Sequence, residues 1–189
     1  DDWLGKNHLE MLVCAPSADL VVSGIVQISS NGTSTENKPS CSKTFELNSS
    51  SIDDYVDLNR KFLLYGPVVK MYKTSIIQSE HVSFPIECSY GEDLLFNLGY
   101  LSHVKTISQV NDASYYYRRG TETLSTKKRP NQFFQDYEQW KMLKAFYVQH
   151  GLWLISAKEL LYERLWGIVY DGIFSTDTET KSVLSIPEI

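Results

Sequence analysis

The sequence has 189 residues, of which 42% are hydrophobic and 13% aromatic, enough for one globular domain with a hydrophobic core. Its formal net charge is -5 and it contains no long run of Lys or Arg, which excludes nucleic acid as a first-choice partner. No apolar run reaches the roughly 18 residues of a membrane span, and its three widely spaced cysteines fit a reducing compartment, so we expect a cytoplasmic protein.

The first part of the chain predicts one short helix and one buried strand. Residues 7–15 are typical of an amphipathic helix, with an apolar face formed by Leu9, Leu12 and Val13. Residues 18–28 are rich in β-branched side chains and almost continuously apolar. Such a run favours a strand that is covered on both faces.

The next segment predicts an exposed connection followed by a helix and a turn. Residues 29–51 are a polar tract, which indicates a surface loop or an edge hairpin around the Asn31-Gly32 pair. Residues 53–61 are predicted to be helical. Residues 66–73 begin with Gly-Pro and predict a turn that leads into a short strand or helix.

The remaining predicted elements complete an α/β domain with a C-terminal helical extension. Glu92 and Asp93 follow Gly91 and are typical of the first turn of a helix. Two strands are expected at 104–110 and 114–118, and two helices at 131–149 and 156–173. The predicted core residues of these helices are Phe133, Tyr137, Trp140 and Tyr147 in the first and Leu160, Leu161, Leu165, Trp166 and Val169 in the second.

Four stretches, in this order, carry motifs: Asp1-Asp2-Trp3-Leu4, Gly66 to Lys73, Phe84-Pro85 with Gly91 to Asn97, and Tyr115 to Arg118 with Leu124-Ser125. Together they resemble the family 2 glycosyltransferases of the GT-A fold. The first stretch resembles the end of that family's D-x-D-D-W segment, and the second its G-x-x-x-K-L-Y-K/R segment. The third resembles its F-P … G-E-D segment, and the fourth its Y-Y-Y-R … S strand.

The resemblance implies a partial GT-A fold, a Rossmann-like mixed sheet followed by helices. Residues 1–125 would be the acceptor-side and catalytic part, and residues 126–189 a C-terminal helical extension. The family's nucleotide-binding half would precede residue 1, so we expect a truncated chain. The implied activity is transfer of a sugar from a nucleotide-sugar donor to a saccharide or lipid-linked acceptor, in surface polysaccharide biosynthesis.

The resemblance also assigns roles to individual side chains. Asp1 matches the second Asp of the DXD motif and, with Asp2 beside it, would hold Mn²⁺ or Mg²⁺. The expected catalytic residues are Asp93 and Glu92, with Asp93 as the general base of an inverting displacement. The expected substrate-binding residues are Lys70, Trp3, Tyr117 and Arg118.

Each assignment has a structural alternative. Asp1-Asp2 is also typical of a solvated terminus, and Glu92-Asp93 of an acidic first helical turn. Lys70 suits a solvated strand edge, and the tyrosines of residues 115–117 suit cross-strand packing.

Alternatives also exist for the whole chain. It could be a non-catalytic acceptor-side fragment without donor binding, or, less in keeping with its residues, a metal-dependent phosphoesterase. The aromatic face of the C-terminal helices would either pack on the sheet or make a peripheral contact with the inner face of a membrane.

Overall fold

The computed structural model describes residues 2–86, 88, 90–120 and 131–174, and strands and helices are interspersed along these ranges. The strands are β1 (Trp3–Leu4), β2 (Leu20–Val22), β3 (Ile25–Ile28), β4 (Ser34–Asn37), β5 (Lys43–Glu46), β6 (Lys70–Tyr72), β7 (Thr106–Gln109) and β8 (Tyr115–Arg118). The helices are α1 (His8–Val13), α2 (Ile52–Arg60), α3 (Thr74–Ser79), α4 (Glu92–Leu101), α5 (Gln132–Gln149) and α6 (Ile155–Ile173).

The strands form two four-stranded mixed sheets, in the orders β1-β8-β3-β4 and β5-β7-β2-β6. The pairs β2–β7 and β3–β8 are parallel, and the other pairs are antiparallel. Because β2 leads directly into β3, and β7 leads into β8 through a short connection, the same two chain segments run through both sheets. The architecture is the mixed α/β fold with C-terminal helices that the sequence predicts.

Gly24 is required at the junction between β2 and β3. A Cβ added there would lie 2.4 Å from the Cβ of Lys38 and 2.6 Å and 2.8 Å from the carbonyl oxygens of Asn37 and Asp112. The Gly24 backbone N–H donates to the Asp112 carbonyl at 2.6 Å. Any larger residue would push these three backbone segments apart. The single strand predicted over 18–28 is therefore wrong, since the chain changes sheet at this glycine.

The polar tract 29–51 contains the edge hairpin that the sequence suggests. Strands β3 and β4 pair across the Asn31-Gly32 turn, where Gly32 has φ of +82°. The Asn31 side chain accepts from the Thr33 N–H at 3.0 Å and fixes the turn. The same tract also supplies β5, an edge strand paired with β7, which the sequence analysis does not predict.

The C-terminal helices pack on each other, on α2 and on α4, and their buried residues belong to one hydrophobic core with those of the strands. Trp140 Nε1 donates to the carbonyl of Leu161 at 2.6 Å, which fixes α5 against α6. Asn59 Nδ2 donates to the hydroxyl of Tyr147 at 3.0 Å, which ties α2 to α5. The predicted core face of α5 is confirmed, with Phe133, Tyr137, Trp140 and Tyr147 all buried.

Two predicted faces need correction. In α1 the buried residues are His8 and Leu12, whereas Leu9 and Val13 are exposed. The helix is rotated because His8 Nδ1 forms a 3.0 Å hydrogen bond with Ser114 Oγ. In α6 the predicted leucines and Val169 are buried, but Trp166 is 66% exposed, and Tyr170 and Phe174 continue this exposed aromatic row at four-residue intervals.

Helix α2 ends in a Schellman motif with an unusual residue at its left-handed position. The N–H of Phe62 donates to the carbonyl of Asn59, and the N–H of Leu63 donates to that of Leu58, both at 3.0 Å. Phe62 has φ of +59°, a region in which glycine is the usual residue. A non-glycine residue costs about 1–2 kcal/mol in this conformation, and the Phe62 side chain remains 61% exposed.

Candidate active site

The side chains of Asp93, at the start of α4, and Lys70 interact electrostatically. Gly91 caps the helix in the left-handed conformation, with φ of +87°, and Glu92 and Asp93 form its first turn. Lys70 begins β6 opposite Val22, where β2 ends. This placement puts a cation and a carboxylate at the end of a central strand, the edge at which α/β proteins commonly bind ligands.

Burial and mutual charge perturb both groups. Burial raises the pKa of Asp93, and Glu92 raises it further, while Lys70 opposes both effects. Burial lowers the pKa of Lys70 to about 7, against the attraction of Asp93. The side chain of Lys70 is half-buried. Its Nζ donates to the carbonyl of Gly66 and, at 3.3 Å, to the carbonyl of Val68. Perturbed pairs of this kind occur preferentially at functional sites.

Asn97 fixes α4 to the elements around the Asp93–Lys70 pair. Its Nδ2 donates to the carbonyls of Asp93 and Tyr65, both at 2.8 Å. Its Oδ1 accepts from the hydroxyl of Tyr72 at 2.8 Å. Sequence reasoning missed Asn97 and Tyr72 as site residues. The available signal was a lone amide four residues after Asp93, on the same face of an otherwise apolar helix.

The backbone next to Lys70 is strained. Val69 has φ of +58° and is buried, and a β-branched residue in this region is a genuine outlier. Its carbonyl accepts from both the N–H of Ser23, at 2.8 Å, and the hydroxyl of Ser23, at 3.3 Å. These bonds hold the turn in place. Strain of this kind clusters at active sites, where the surrounding structure fixes it.

A second group forms where β1 pairs with β8. Asp2 Oδ1 accepts from the backbone N–H of Arg118 at 3.0 Å, and its Oδ2 accepts from the hydroxyl of Tyr115 at 2.9 Å. Trp3 lies opposite Tyr116 and stacks on it, with ring centroids 5.1 Å apart. The Arg118 guanidinium lies 5.6 Å from the centre of the Trp3 ring.

Burial, followed by the neighbouring Asp2, raises the pKa of Tyr115 to about 12, so its hydroxyl stays protonated and acts as the donor to that carboxylate. Asp2, Trp3 and Arg118 are therefore assembled into one polar and aromatic surface. Asp1 lies outside the described residues. Tyr117 lies on the same strand, in register with Gln27 of β3.

The metal assignment remains a prediction. In the part of the chain that the structure describes, no group of three or more His, Cys, Asp or Glu side chains is arranged to hold an ion. Asp2 offers the oxygen ligands that Mg²⁺ and Mn²⁺ prefer. Its two hydrogen bonds orient the carboxylate as outer-shell partners orient metal ligands elsewhere. The donor type of Asp2 thus fits the expected ion.

The Asp93–Lys70 pair and the group where β1 pairs with β8 lie beside successive strands, because β2 leads directly into β3. Lys70 lies opposite Val22 of β2, and Trp3 is linked through Tyr116 to Val26 of β3. The Cα atoms of Val22 and Val26 are at most about 14 Å apart, the length of four extended residues. Among the described residues no hydrogen bond or ion pair joins Asp2 to Asp93, so their convergence on one cleft stays a prediction.

Comparison with known proteins supports the fold. No protein-family model matches the sequence, and no curated protein sequence matches it. The chain is similar to the crystal structure of S. aureus TarS 1-349 in complex with UDP-GlcNAc, with a TM-score of 0.55 and 22% sequence identity. The match covers 100% of this chain and 51% of the TarS chain, so the chain spans about half the length of that structure.

The class that these observations define is an α/β protein with a glycosyltransferase-like fold, since TarS is a glycosyltransferase. At this level of identity the likeness concerns the fold alone. Among the helices described, none is both long enough and apolar enough to cross a membrane.

Proposed function

We propose that the chain is the catalytic and acceptor-side part of a family 2-like GT-A glycosyltransferase. It would transfer a sugar from a nucleotide-sugar donor to a saccharide or lipid-linked acceptor, in surface polysaccharide biosynthesis. The observation that carries this proposal is the Asp93–Lys70 pair, a base with a raised pKa beside a desolvated cation, fixed by Asn97. The UDP-GlcNAc bound to TarS supports a nucleotide-sugar as the donor.

In the proposed reaction Asp93 accepts the proton of the acceptor hydroxyl while the hydroxyl oxygen attacks the anomeric carbon. The bond from that carbon to the diphosphate breaks, its electron pair leaves with the diphosphate, and the configuration inverts. The raised pKa makes Asp93 a stronger base than an exposed aspartate. Lys70 offsets the charge of the ionised carboxylate before the proton arrives.

The second group would bind the donor. Asp2, with Asp1, would hold Mn²⁺ or Mg²⁺, which supplies charge neutralisation at the leaving diphosphate. Trp3 would offer its ring to a sugar or base, and its contacts with Tyr116 and Arg118 keep that ring oriented. Arg118 adds a cation for the diphosphate, and Tyr117 would complete the substrate surface.

The test uses the full-length protein with Asp93→Asn and, as the matched control, Asp53→Asn, which changes an exposed carboxylate in the first turn of α2. Transfer is followed as UDP release from UDP-GlcNAc in the presence of a polysaccharide acceptor preparation. We expect Asp93→Asn to lose about 100-fold or more of the transfer rate, the usual contribution of a general base. The Asp53→Asn variant should stay within a few-fold of wild type.

Binding of UDP with Mn²⁺, measured by calorimetry, should be nearly unchanged in both variants. Transfer by Asp93→Asn at a tenth of the wild-type rate or more would remove Asp93 from the role of base. The alternative, an acceptor-side fragment without donor binding, predicts no heat from UDP and Mn²⁺ on residues 1–189 but clear binding by the full-length protein.

For a lipid-linked acceptor, the surface available for a peripheral membrane contact is the exposed aromatic row of Trp166, Tyr170 and Phe174. Such side chains favour the membrane–water interface. Cosedimentation with lipid vesicles tests this contact, and a Trp166→Ser, Tyr170→Ser double variant should lose it. Equal cosedimentation of the double variant and wild type would argue against it.

A further inference from the structure

A cavity of about 450 Å³ lies between α5 and α6, and neither Asp93 nor Lys70 lines it. Its other walls are the segment after α2, through Phe62 and Tyr65, and the residue before the α4 cap, Tyr90. The volume is within the range of small-molecule binding sites. Neither the proposed proton transfer nor the proposed donor site uses it.

One wall consists of aromatic rings. The rings of Phe62 and Tyr65 have centroids 5.3 Å apart, and Arg164 lies 4.8 Å and 4.6 Å from their centres. Trp140 also lines the cavity. Phe62 is the strained residue at the end of α2, and its ring remains largely exposed. Tyr65 and Arg164 contact the ring of Phe62, but most of the ring stays exposed, so a ligand in the cavity can stack on it.

The polar groups of the cavity suit a neutral ligand with several hydroxyl groups. Asp136 and Asp171 supply two carboxylates and Arg164 one guanidinium, so the charges sum to a negative value and disfavour phosphate. Arg164 donates to the hydroxyl of Tyr65 and the carbonyl of Asn59, and has no carboxylate partner among the described residues. Carboxylates and a guanidinium around an aromatic wall form charge-assisted hydrogen bonds with sugar hydroxyls.

Gln139 provides an independent sign of a missing partner. It lines the cavity, and its buried Nε2 has no hydrogen-bond partner among the described residues. Leaving a buried amide unsatisfied is unfavourable, and such groups in native structures call for an explanation. A ligand amide or hydroxyl at this wall would satisfy it after a small rotation of the side chain.

The cavity shares its wall with the turn that carries Asp93. A Cβ on Gly91 would lie 2.8 Å from Cδ and Nε2 of Gln139, so this backbone packs directly on the cavity wall. The hydroxyl of Tyr90 donates to Asp136 Oδ1 at 2.5 Å. A ligand that orders Gln139 and Asp136 would therefore also order the cap of α4.

We propose that this cavity is a saccharide-binding site that takes one or two neutral sugar units. Saccharide binding by the cavity does not depend on the proposed function. The further assignment of the bound saccharide to the acceptor chain, held away from the reacting hydroxyl, rests on the proposed function. The aromatic wall would stack on a pyranose ring, and Gln139, Asp136 and Asp171 would pair with its polar substituents.

The test measures binding of N,N′-diacetylchitobiose, cellobiose and maltose by saturation-transfer NMR, with inorganic phosphate as the anionic control. Gly167 on α6 lines the cavity, and an added Cβ there meets nothing within 4 Å. Gly167→Trp would therefore fill the cavity, and Gly167→Ala is the matched control. Phe62→Gly removes the stacking ring while relieving the backbone, and Phe62→Tyr is its conservative counterpart.

We expect at least one disaccharide to bind wild type, and Gly167→Trp and Phe62→Gly to weaken that binding by about tenfold or more, the equivalent of 1.4 kcal/mol. The Gly167→Ala and Phe62→Tyr variants should bind within a few-fold of wild type. Absence of disaccharide binding, equal binding by both blocking variants, or displacement of the sugar by phosphate would overturn the proposal. Unfolding is checked by circular dichroism, and if one blocking variant unfolds, the other decides.

The two proposals fail differently. Saccharide binding that follows this pattern in a protein without transfer activity would leave the cavity assignment standing and remove the glycosyltransferase proposal. In the reverse case transfer depends on Asp93, but Gly167→Trp and Phe62→Gly change neither disaccharide binding nor transfer. That result would remove the cavity assignment and leave the glycosyltransferase proposal standing.

Discussion

Two glycines of α6 allow the packing of the C-terminal helices to be measured with a matched pair of substitutions. A Cβ on Gly172 would lie 2.5 Å from Cδ2 and 3.1 Å from Cγ and Cε2 of Phe133, whereas a Cβ on Gly167 meets nothing within 4 Å. Phe133 is buried, and its ring lies parallel to that of Tyr137, with centroids 6.4 Å apart, so the ring cannot rotate away freely.

Both substitutions to alanine gain helix propensity, about 1 kcal/mol each. For Gly167→Ala we expect this gain alone. Gly172→Ala must also move the Phe133 ring by about 1 Å to reach an ordinary contact, and overpacking of this kind typically costs 1–3 kcal/mol. The difference between the two variants isolates the overpacking cost, because the propensity gain is common to both.

The measurement is urea denaturation of both variants and wild type, with equal m-values required for comparison. We expect Gly167→Ala to be more stable than Gly172→Ala by about 1–3 kcal/mol, or about 2–4 °C in Tm per kcal/mol for a domain of this size. Equal stability of the two variants would refute the close approach of α5 and α6 at Phe133, and with it the geometry of the cavity between these helices.

Two further predictions concern pH. The pKa of Lys70 is lowered to about 7 from 10.5. Between these values the unfolded chain binds more protons than the folded protein, so the stability of the wild type should rise with pH. The Lys70→Met variant should lose this slope when denaturation is measured at pH 6–10. Burial raises the pKa of Asp19, but the ammonium of Lys73 and the N–H groups of Lys105 and Thr106 outweigh it, so the net pKa lies below 3.8. The carboxylate thus stabilises the fold above that value and less as pH falls further; Asp19→Asn should flatten the acid limb of the stability profile, and an unchanged acid limb would contradict this role.

The sequence predicts the helices well because their signal is local. The aromatic face of α5 repeats at helical spacing over four turns, and each predicted position is buried. In α1 the same reasoning chose the wrong face, because a helix of six residues has too few apolar positions to outweigh the hydrogen bond between His8 and Ser114.

Non-local pairing accounts for what the sequence analysis misses. Strand β5 has one buried residue, Phe45, and its place is set by pairing with β7, more than fifty residues away in sequence. At the candidate site, the motifs select Asp2, Trp3 and Arg118, but only the β1–β8 register shows that these three side chains meet. Asn97 was overlooked because its three partners come from three separate segments.

The pairing of β1 with β8 also has a kinetic consequence. Two residues, Trp3 and Leu4, close a loop of more than a hundred residues onto Tyr115 and Tyr116. The pairing of β3 with β8 closes most of this loop, and β1 adds only two exposed residues at the edge of the sheet. We therefore expect this edge to dock late in folding and to open often in the native protein, so that the Asp2 and Trp3 amides exchange with solvent deuterium far sooner than those of β2.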